Sequence, residues 1–161
     1  IASCLVGSEM CIRDSLPTVH KANKNNRAVG LGVMSFHSMC AKNKIRYGSE
    51  ESLDLLNVYC MMMDYYSLDE SMKIAVERND KFYGFDQTDY KAKDGKEFGE
   101  YFYKNNRVTK NVEPITPKIK EIFKGIYIPT KEDWQRLARE VDKNGLYNSY
   151  RLSIAPYWLG R

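Results

Sequence analysis

The stretch that most constrains this chain runs from residue 50 to residue 79. Leu55, Val58, Met62 and Tyr65 fall on one stripe at helical spacing, and Leu56, Tyr59, Cys60, Met63 and Tyr66 form a second stripe beside it. A helix that is apolar around most of its circumference is buried on more than one side. After Tyr66 the pattern narrows to Leu68, Met72, Ala75 and Val76, with Lys73 and Glu77 outside. Gly48 breaks the chain before this helix, and Ser49 is placed to cap it. Such a helix expects packing partners on two sides, and a chain of 161 residues does not obviously hold them all.

Weaker patterns flank it. Residues 16–24, with a proline and small polar side chains, read as loop or extended chain. Residues 27–43 turn helical after a glycine-rich start, with Val33, Phe36, His37 and Cys40 on one face. Residues 82–94 read as a loop ending in the turn dipeptide Asp94-Gly95. Phe98, Tyr101 and Phe102 suggest a short helical turn, and residues 105–116 are irregular. Thr116-Pro117 opens a helix with proline at the favoured first position, its buried face being Ile119, Ile122, Phe123 and Ile126. Thr130 caps the last helix, with Asp133 at the capping-box position. Trp134, Leu137, Ala138 and Val141 make an inward stripe, and Asn144-Gly145 ends the helix. Tyr150, Leu152 and Ile154 alternate with Arg151 and Ser153 as a short strand.

Composition narrows the function classes. The net charge of +4 favours solubility but does not by itself imply nucleic acid. Its densest basic run, residues 104–124, is interrupted by Glu113 and Glu121 and reads as a solvated face. No apolar run approaches the roughly 20 residues a membrane-spanning helix needs. The spacings of Cys4, Cys11, Cys40 and Cys60 match no zinc ribbon and no disulfide framework, so a reducing cytoplasm is the default.

No motif announces chemistry. Gly30-Leu31-Gly32 begins like a dinucleotide fingerprint, but Ser35 occupies the third glycine position, and close backbone packing is the better reading. His37 and Cys40 share a helix face, yet His20 and Cys60 supply no second ligand pair for zinc. A partly buried histidine beside an inert buried cysteine fits better. Met61, Met62 and Met63 point in three directions and read as core filling. Glu50-Glu51 and Asp69-Glu70 read as solvated charge, the first pair also complementing a helix start.

The two ends stand apart. Residues 4–15, Cys4-Leu-Val-Gly-Ser-Glu-Met-Cys-Ile-Arg-Asp-Ser15, resemble a translated sequencing adapter, so residues 1–15 are set aside from fold reasoning together with Cys4 and Cys11.

The remainder resembles the large subunit of class Ib ribonucleotide reductases. The likeness runs from Leu16-Pro-Thr-Val through Asn25-Asn-Arg-Ala-Val-Gly-Leu-Gly-Val-Met-Ser-Phe-His37 and Tyr47-Gly-Ser-Glu-Glu-Ser-Leu-Asp54. It continues through the long helix, Gly84-Phe-Asp-Gln-Thr-Asp-Tyr90, Ile128-Pro-Thr-Lys-Glu-Asp-Trp134 and Gly145-Leu-Tyr-Asn-Ser-Tyr-Arg-Leu-Ser-Ile-Ala-Pro156.

That resemblance implies a mostly α fragment of an α/β protein: helices and a short strand or two from a ten-stranded α/β barrel. Residues 16–156 would be the partial barrel domain. It implies reduction of ribonucleoside diphosphates to deoxyribonucleotides, in which a thiyl radical takes the ribose 3′ hydrogen and two further cysteines supply electrons. It also implies a homodimer, nucleotide effectors, a thiol redox protein, and a small (beta) subunit whose metal generates the radical. Cys40 and Cys60 match none of the family's functional cysteines, and Tyr65-Tyr66 does not match its radical relay, so the expected catalytic set and metal set in this chain are both empty. In the family Ala-Pro opens a loop that holds substrate phosphates on backbone amides. Pro156 would begin that loop here, but Tyr157-Trp-Leu-Gly-Arg161 departs from the pattern, as a one-base frameshift near Pro156 would produce. The rival reading is a free-standing, non-enzymatic helical interaction module. A start codon near Leu16 would favour it, and an open frame continuing upstream into cysteine-bearing strands would favour the reductase.

Overall fold

A computed structural model describes residues 16–153. Its elements are α1 (Pro17–Asn26), α2 (Phe36–Lys42), α3 (Glu50–Arg78), a 3₁₀ turn (Phe85–Gln87), α4 (Glu100–Lys104), α5 (Pro117–Ile122) and α6 (Lys131–Asn144). The long α3 is the axis around which the others are placed.

Local chemistry fixes both ends of α3. Ser49 has extended backbone, and its side chain accepts from the Ser52 amide, as an N-cap does. Glu50 and Glu51 lie in the first turn, where the helix dipole favours negative charge. Asn79 closes the helix in the left-handed region at φ 47°, donating its N–H to the Ala75 and Val76 carbonyls.

Two cores sit against this helix. Met61, Tyr65, Leu68 and Met72 pack with Phe82, Phe85, Phe98, Phe102, Trp134, Leu137, Val141 and Leu146. Leu55 and Val58 pack with Cys40, Ile45, Ile119 and Phe123 in a smaller cluster towards the N-terminal end. Both clusters lie along one face of the helix, one after the other, rather than on two sides of it. Met61, the first of the methionine run, is fully buried. The second stripe is only partly covered, with Tyr59 39% and Tyr66 45% exposed, and Val76 is also exposed.

The partner helix α6 follows the sequence reading closely. The Thr130 hydroxyl accepts from the Asp133 amide while the Asp133 carboxylate accepts from the Thr130 amide, completing the capping box. Trp134, Leu137, Ala138 and Val141 are all buried, and Gly145 ends the helix at φ 82°.

Four further expectations are corrected. Residues 17–26 are helix, not loop: Pro17 stands at the first position, where its missing N–H costs nothing. None of α1 is buried, so it shows no apolar period. Its C-terminal end is held by the Tyr83 amide donating to the Asn25 carbonyl and the Ser149 amide donating to the Asn26 carbonyl, both at 2.9 Å.

In residues 27–43 the helix starts only at Phe36, after Ser35 at φ 59°, so Val33 lies outside it. The segment before it is extended and pairs with residues 150–153. Val29 and Leu31 donate to the Tyr150 and Arg151 carbonyls at 2.9 Å, and Ser153 donates back to Leu31 at 3.0 Å. The expected strand is accordingly one isolated parallel bridge, Leu31 to Leu152. Ile154 lies outside the described residues, as do residues 1–15 and 155–161 with Pro156 among them.

The third correction is Ile126. The helix stops at Ile122, Gly125 turns the chain at φ 80°, and Ile126 is left 49% exposed. The fourth is His37, which is exposed and packs its ring 5.5 Å from that of Tyr47, while Cys40 is fully buried. The two side chains share no site. Among the described residues no helix is long and apolar enough to cross a membrane.

Candidate functional site

The glycine pair of Gly30-Leu31-Gly32 explains how the extended segment reaches residues 150–153. A Cβ on Gly32 would stand 2.4 Å from the Ser153 carbonyl oxygen, and one on Gly30 would stand 3.0 Å from the Ser153 Cβ. The two backbones approach closely only because no side chain intervenes. The glycines serve close backbone packing, here between two extended segments rather than at a helix start.

Residues 150–153 are in turn tied to α3 by charge. Asp64 interrupts the apolar run of the long helix, and its side chain is 6% exposed. The Tyr101 hydroxyl donates to its two oxygens at 2.8 and 2.9 Å. Arg151 Nη2 donates to Oδ1 at 3.3 Å, and Arg107 Nε lies 3.7 Å from Oδ2. A buried carboxylate survives only with such partners.

Arg151 also donates to the Tyr90 hydroxyl oxygen at 3.3 Å and lies 5.3 Å from the centre of that ring. Arg107 lies 5.3 Å from the Trp134 ring centre. Burial, and then the neighbouring Asp64 charge, push the Tyr101 phenol well above its ordinary value, so it stays protonated and donates. The cluster thus fastens α3, the 90–107 region and the chain just before Ile154 to one point.

Two further side chains of α3 do similar work. Asp54 Oδ2 accepts from the Ile115 amide at 2.9 Å and from the Thr116 amide and hydroxyl at 2.7 and 2.9 Å, which seats the start of α5. Ser71 Oγ bonds Asn148 Oδ1 and accepts from the Asn148 amide, both at 3.0 Å, and Asn148 Nδ2 donates to the Arg27 carbonyl. Sequence reading passed over Asp54 and Asp64. The one available signal was an acidic residue on a helix apolar almost all round, where an unpaired charge is not tolerated.

Beside this cluster lies a groove of about 930 Å³ whose walls include Leu31, Tyr59, Met63, Tyr66, Ile126 and Arg151. It is overwhelmingly apolar, and it is where the second stripe of α3 faces outward.

The thiols are poorly set for reaction. Cys40 is fully buried. Cys60 is half-buried, and burial pushes its thiol above the ordinary value despite Arg107 nearby. Among the described residues no three of His, Cys, Asp and Glu gather to hold a metal ion. The basic run contributes Arg107 to the buried cluster, whereas Lys104, Lys110, Lys120 and Lys124 are exposed.

Comparison with known proteins places this geometry in a family. Residues 9–157 match the family model described as the ribonucleotide reductase barrel domain. The chain is 44% identical over 140 residues to the ribonucleoside-diphosphate reductase NrdEB subunit alpha of Bacillus subtilis (strain 168), covering 87% of this chain and 12% of that protein. It is 40% identical over 140 residues to another B. subtilis ribonucleoside-diphosphate reductase subunit alpha, covering 87% of this chain and 19% of that one. The subunit alpha of Mycoplasma pneumoniae is 36% identical over 146 residues, 89% of this chain and 19% of the relative. The chain therefore spans between about an eighth and a fifth of the length of these relatives.

Proposed function

The chain belongs to the ribonucleotide reductase barrel-domain family, and on that premise we propose that it is a segment of a ribonucleoside-diphosphate reductase large subunit of the class Ib branch. The observation that carries the reading is the identity of 36–44% to reductase alpha subunits along nearly the whole chain. The parent enzyme reduces ribonucleoside diphosphates to deoxyribonucleoside diphosphates by thiyl-radical chemistry. The thiols that react lie elsewhere in the polypeptide in this reading, since Cys40 and Cys60 match none of the family's functional cysteines.

In this reading the segment has a positioning role. The Asp64–Arg151 pair holds residue 151, a few positions before Pro156, where the family's phosphate-holding loop would begin. A backbone loop grips phosphate only if its entry strand is held in register. Holding Arg151 against α3 would supply that register. Among the described residues, the open apolar groove and the isolated Leu31–Leu152 bridge suit a segment flanked by further barrel strands. The metal that generates the radical belongs to the small (beta) subunit. A thiol redox protein, nucleotide effectors, a homodimeric large subunit and a cytoplasmic location complete the proposal.

A chimera tests it. Residues 16–153 would replace the matching segment of the B. subtilis subunit alpha, and reduction of a ribonucleoside diphosphate would be assayed with the small subunit and a thiol reductant. Activity within about an order of magnitude of the parent is the expected result. The 161-residue chain under the same conditions should form no deoxyribonucleotide, and product from it alone would sink the reading.

A further inference from the structure

Two dipeptides of the sequence carry a chemistry that the site does not use. In Asp94-Gly95 and Asn144-Gly145 the glycine amide nitrogen can attack the preceding side-chain carbonyl carbon, because glycine has no side chain to hinder the approach. The carbon–nitrogen bond that forms closes a cyclic imide. Aspartic acid then loses its hydroxyl as water, and asparagine loses its amide as ammonia, the glycine nitrogen giving up its proton in each case. Water reopens the imide at either carbonyl, which leaves an ordinary or a side-chain-linked (isoaspartyl) peptide bond. Ammonia leaves more readily than water, so sequence alone ranks Asn144-Gly145 first.

The structure reverses that order. Asn144 is the last residue of α6, and Gly145 donates its N–H to the Val141 carbonyl at 2.8 Å. Gly145 is buried and close-packed, since a Cβ on it would stand 2.9 Å from Lys81 Cβ. The attacking amide is thus released only when the helix end opens. Asp94 and Gly95 stand differently. Both are exposed, at φ 55° and 74°, and Lys96 donates to the Lys93 carbonyl at 3.0 Å across them. This is a two-residue turn with positive φ at both central positions. Among the described residues the Gly95 N–H donates to no backbone carbonyl, and a Cβ on Gly95 would meet nothing within 4 Å. The flanking ammonium groups of Lys93 and Lys96 go to the Gln87 carbonyl and to Glu100 rather than to the Asp94 carboxylate.

We propose that the Asp94–Gly95 bond is the site of spontaneous aspartyl isomerisation in this protein, ahead of any change at Asn144–Gly145. The step needs only water, which leaves on ring closure and returns on opening. The isoaspartyl product lengthens the main chain by a methylene and frees the Asp94 α-carboxylate. Glu97, bonded to Arg139 at 2.8 Å, and the buried Phe98 follow directly, so the exposed turn must absorb the added length. The assignment follows from the two dipeptides themselves and does not depend on the reductase reading.

Ageing the 161-residue chain at neutral pH, followed by electron-transfer mass spectrometry of its peptides, tests it. Isoaspartate should build up at position 94, while modification at 144 runs at least about tenfold slower, since it waits on a local opening. Asp94→Asn makes the leaving group the same at both positions, so any difference that remains is conformational. In that variant loss of ammonia at 94 should outrun loss at 144 by a wider margin. In urea both amides are released, and the wild-type order should invert to Asn144 first. Hydrogen exchange on the same sample should show the Gly145 amide protected and the Gly95 amide fast. Modification at 144 as fast as at 94 without urea, no isoaspartate at 94, or a Gly145 amide exchanging as fast as that of Gly95 would overturn the assignment.

Discussion

Arg151 and Asp64, 87 positions apart in sequence, meet at 3.3 Å with side chains 4% and 6% exposed. Removing one member of such a pair strands a charge in the interior. We expect Asp64→Ala to cost about 3–5 kcal/mol, because it leaves both Arg151 and Arg107 without a counter-charge. The double variant Asp64→Leu with Arg151→Met should recover a large part of that loss. Urea unfolding of the single and double variants checks this, and a double variant less stable than Asp64→Ala would contradict it.

The cap of α6 is a second point of leverage. Thr130→Ala removes the acceptor of the Asp133 amide and should cost about 1 kcal/mol. The denaturation midpoint should fall while the slope stays constant, since the surface exposed on unfolding hardly changes.

Asp133 also sets a pH response. The Tyr127 hydroxyl, and then the Thr130 amide and hydroxyl, hold its carboxyl below the ordinary range against the opposing effect of burial. Its folded value is thus lower than the roughly 3.9 of an unfolded chain. The unfolded state takes up the proton first as pH falls. The stabilisation is fully present above about pH 5 and is lost as pH drops through the folded value. Asp133→Asn should flatten the acid limb of a stability–pH curve, and an unchanged limb would count against this assignment.

Gly32→Ala tests the close approach of the two extended segments. Its Cβ would meet the Ser153 carbonyl oxygen at 2.4 Å, so one backbone must give way. Hydrogen exchange should speed up at the Leu31 and Ser153 amides while the α6 amides remain protected. Protection unchanged at Leu31 would show that the bridge does not need the glycine.

The apolar groove predicts self-association. Tyr59 and Tyr66 stand 39% and 45% exposed on its wall. Exposed apolar surface of this kind drives aggregation. Tyr59→Lys with Tyr66→Lys should raise the soluble fraction on expression while moving the melting temperature little. Light scattering and thermal unfolding report the two effects separately.

How far the fold could be read from the sequence differs element by element. The long helix, its Ser49 cap, the α6 capping box and the Trp134 to Val141 stripe were all legible, since each signal is carried by residues within a turn or two of one another. The α1 helix was not, because it buries nothing and so carries no period. Val33 and Ile126 matched helical spacing but fell beyond the helix ends, where Ser35 and Gly125 adopt positive φ. At the site, Pro156 was reached only through family likeness, and it lies outside the described residues. Asp54 and Asp64 carried only the sign of an acid on a largely apolar helix, and Arg151 carried none.

What the sequence determined by itself was where helices start, where they stop and which faces are apolar, because caps and periodicity act over neighbouring residues. Only the tertiary structure decided that Asp64 is an anchor rather than a break, that Gly32 admits Ser153, and that the second stripe of α3 stays partly bare. Those outcomes depend on groups brought together across as many as 121 positions, as in the Asn148 to Arg27 bond. A charge on a helix is stable or ruinous according to the partner that burial delivers, and that partner is chosen by the packing of the whole chain.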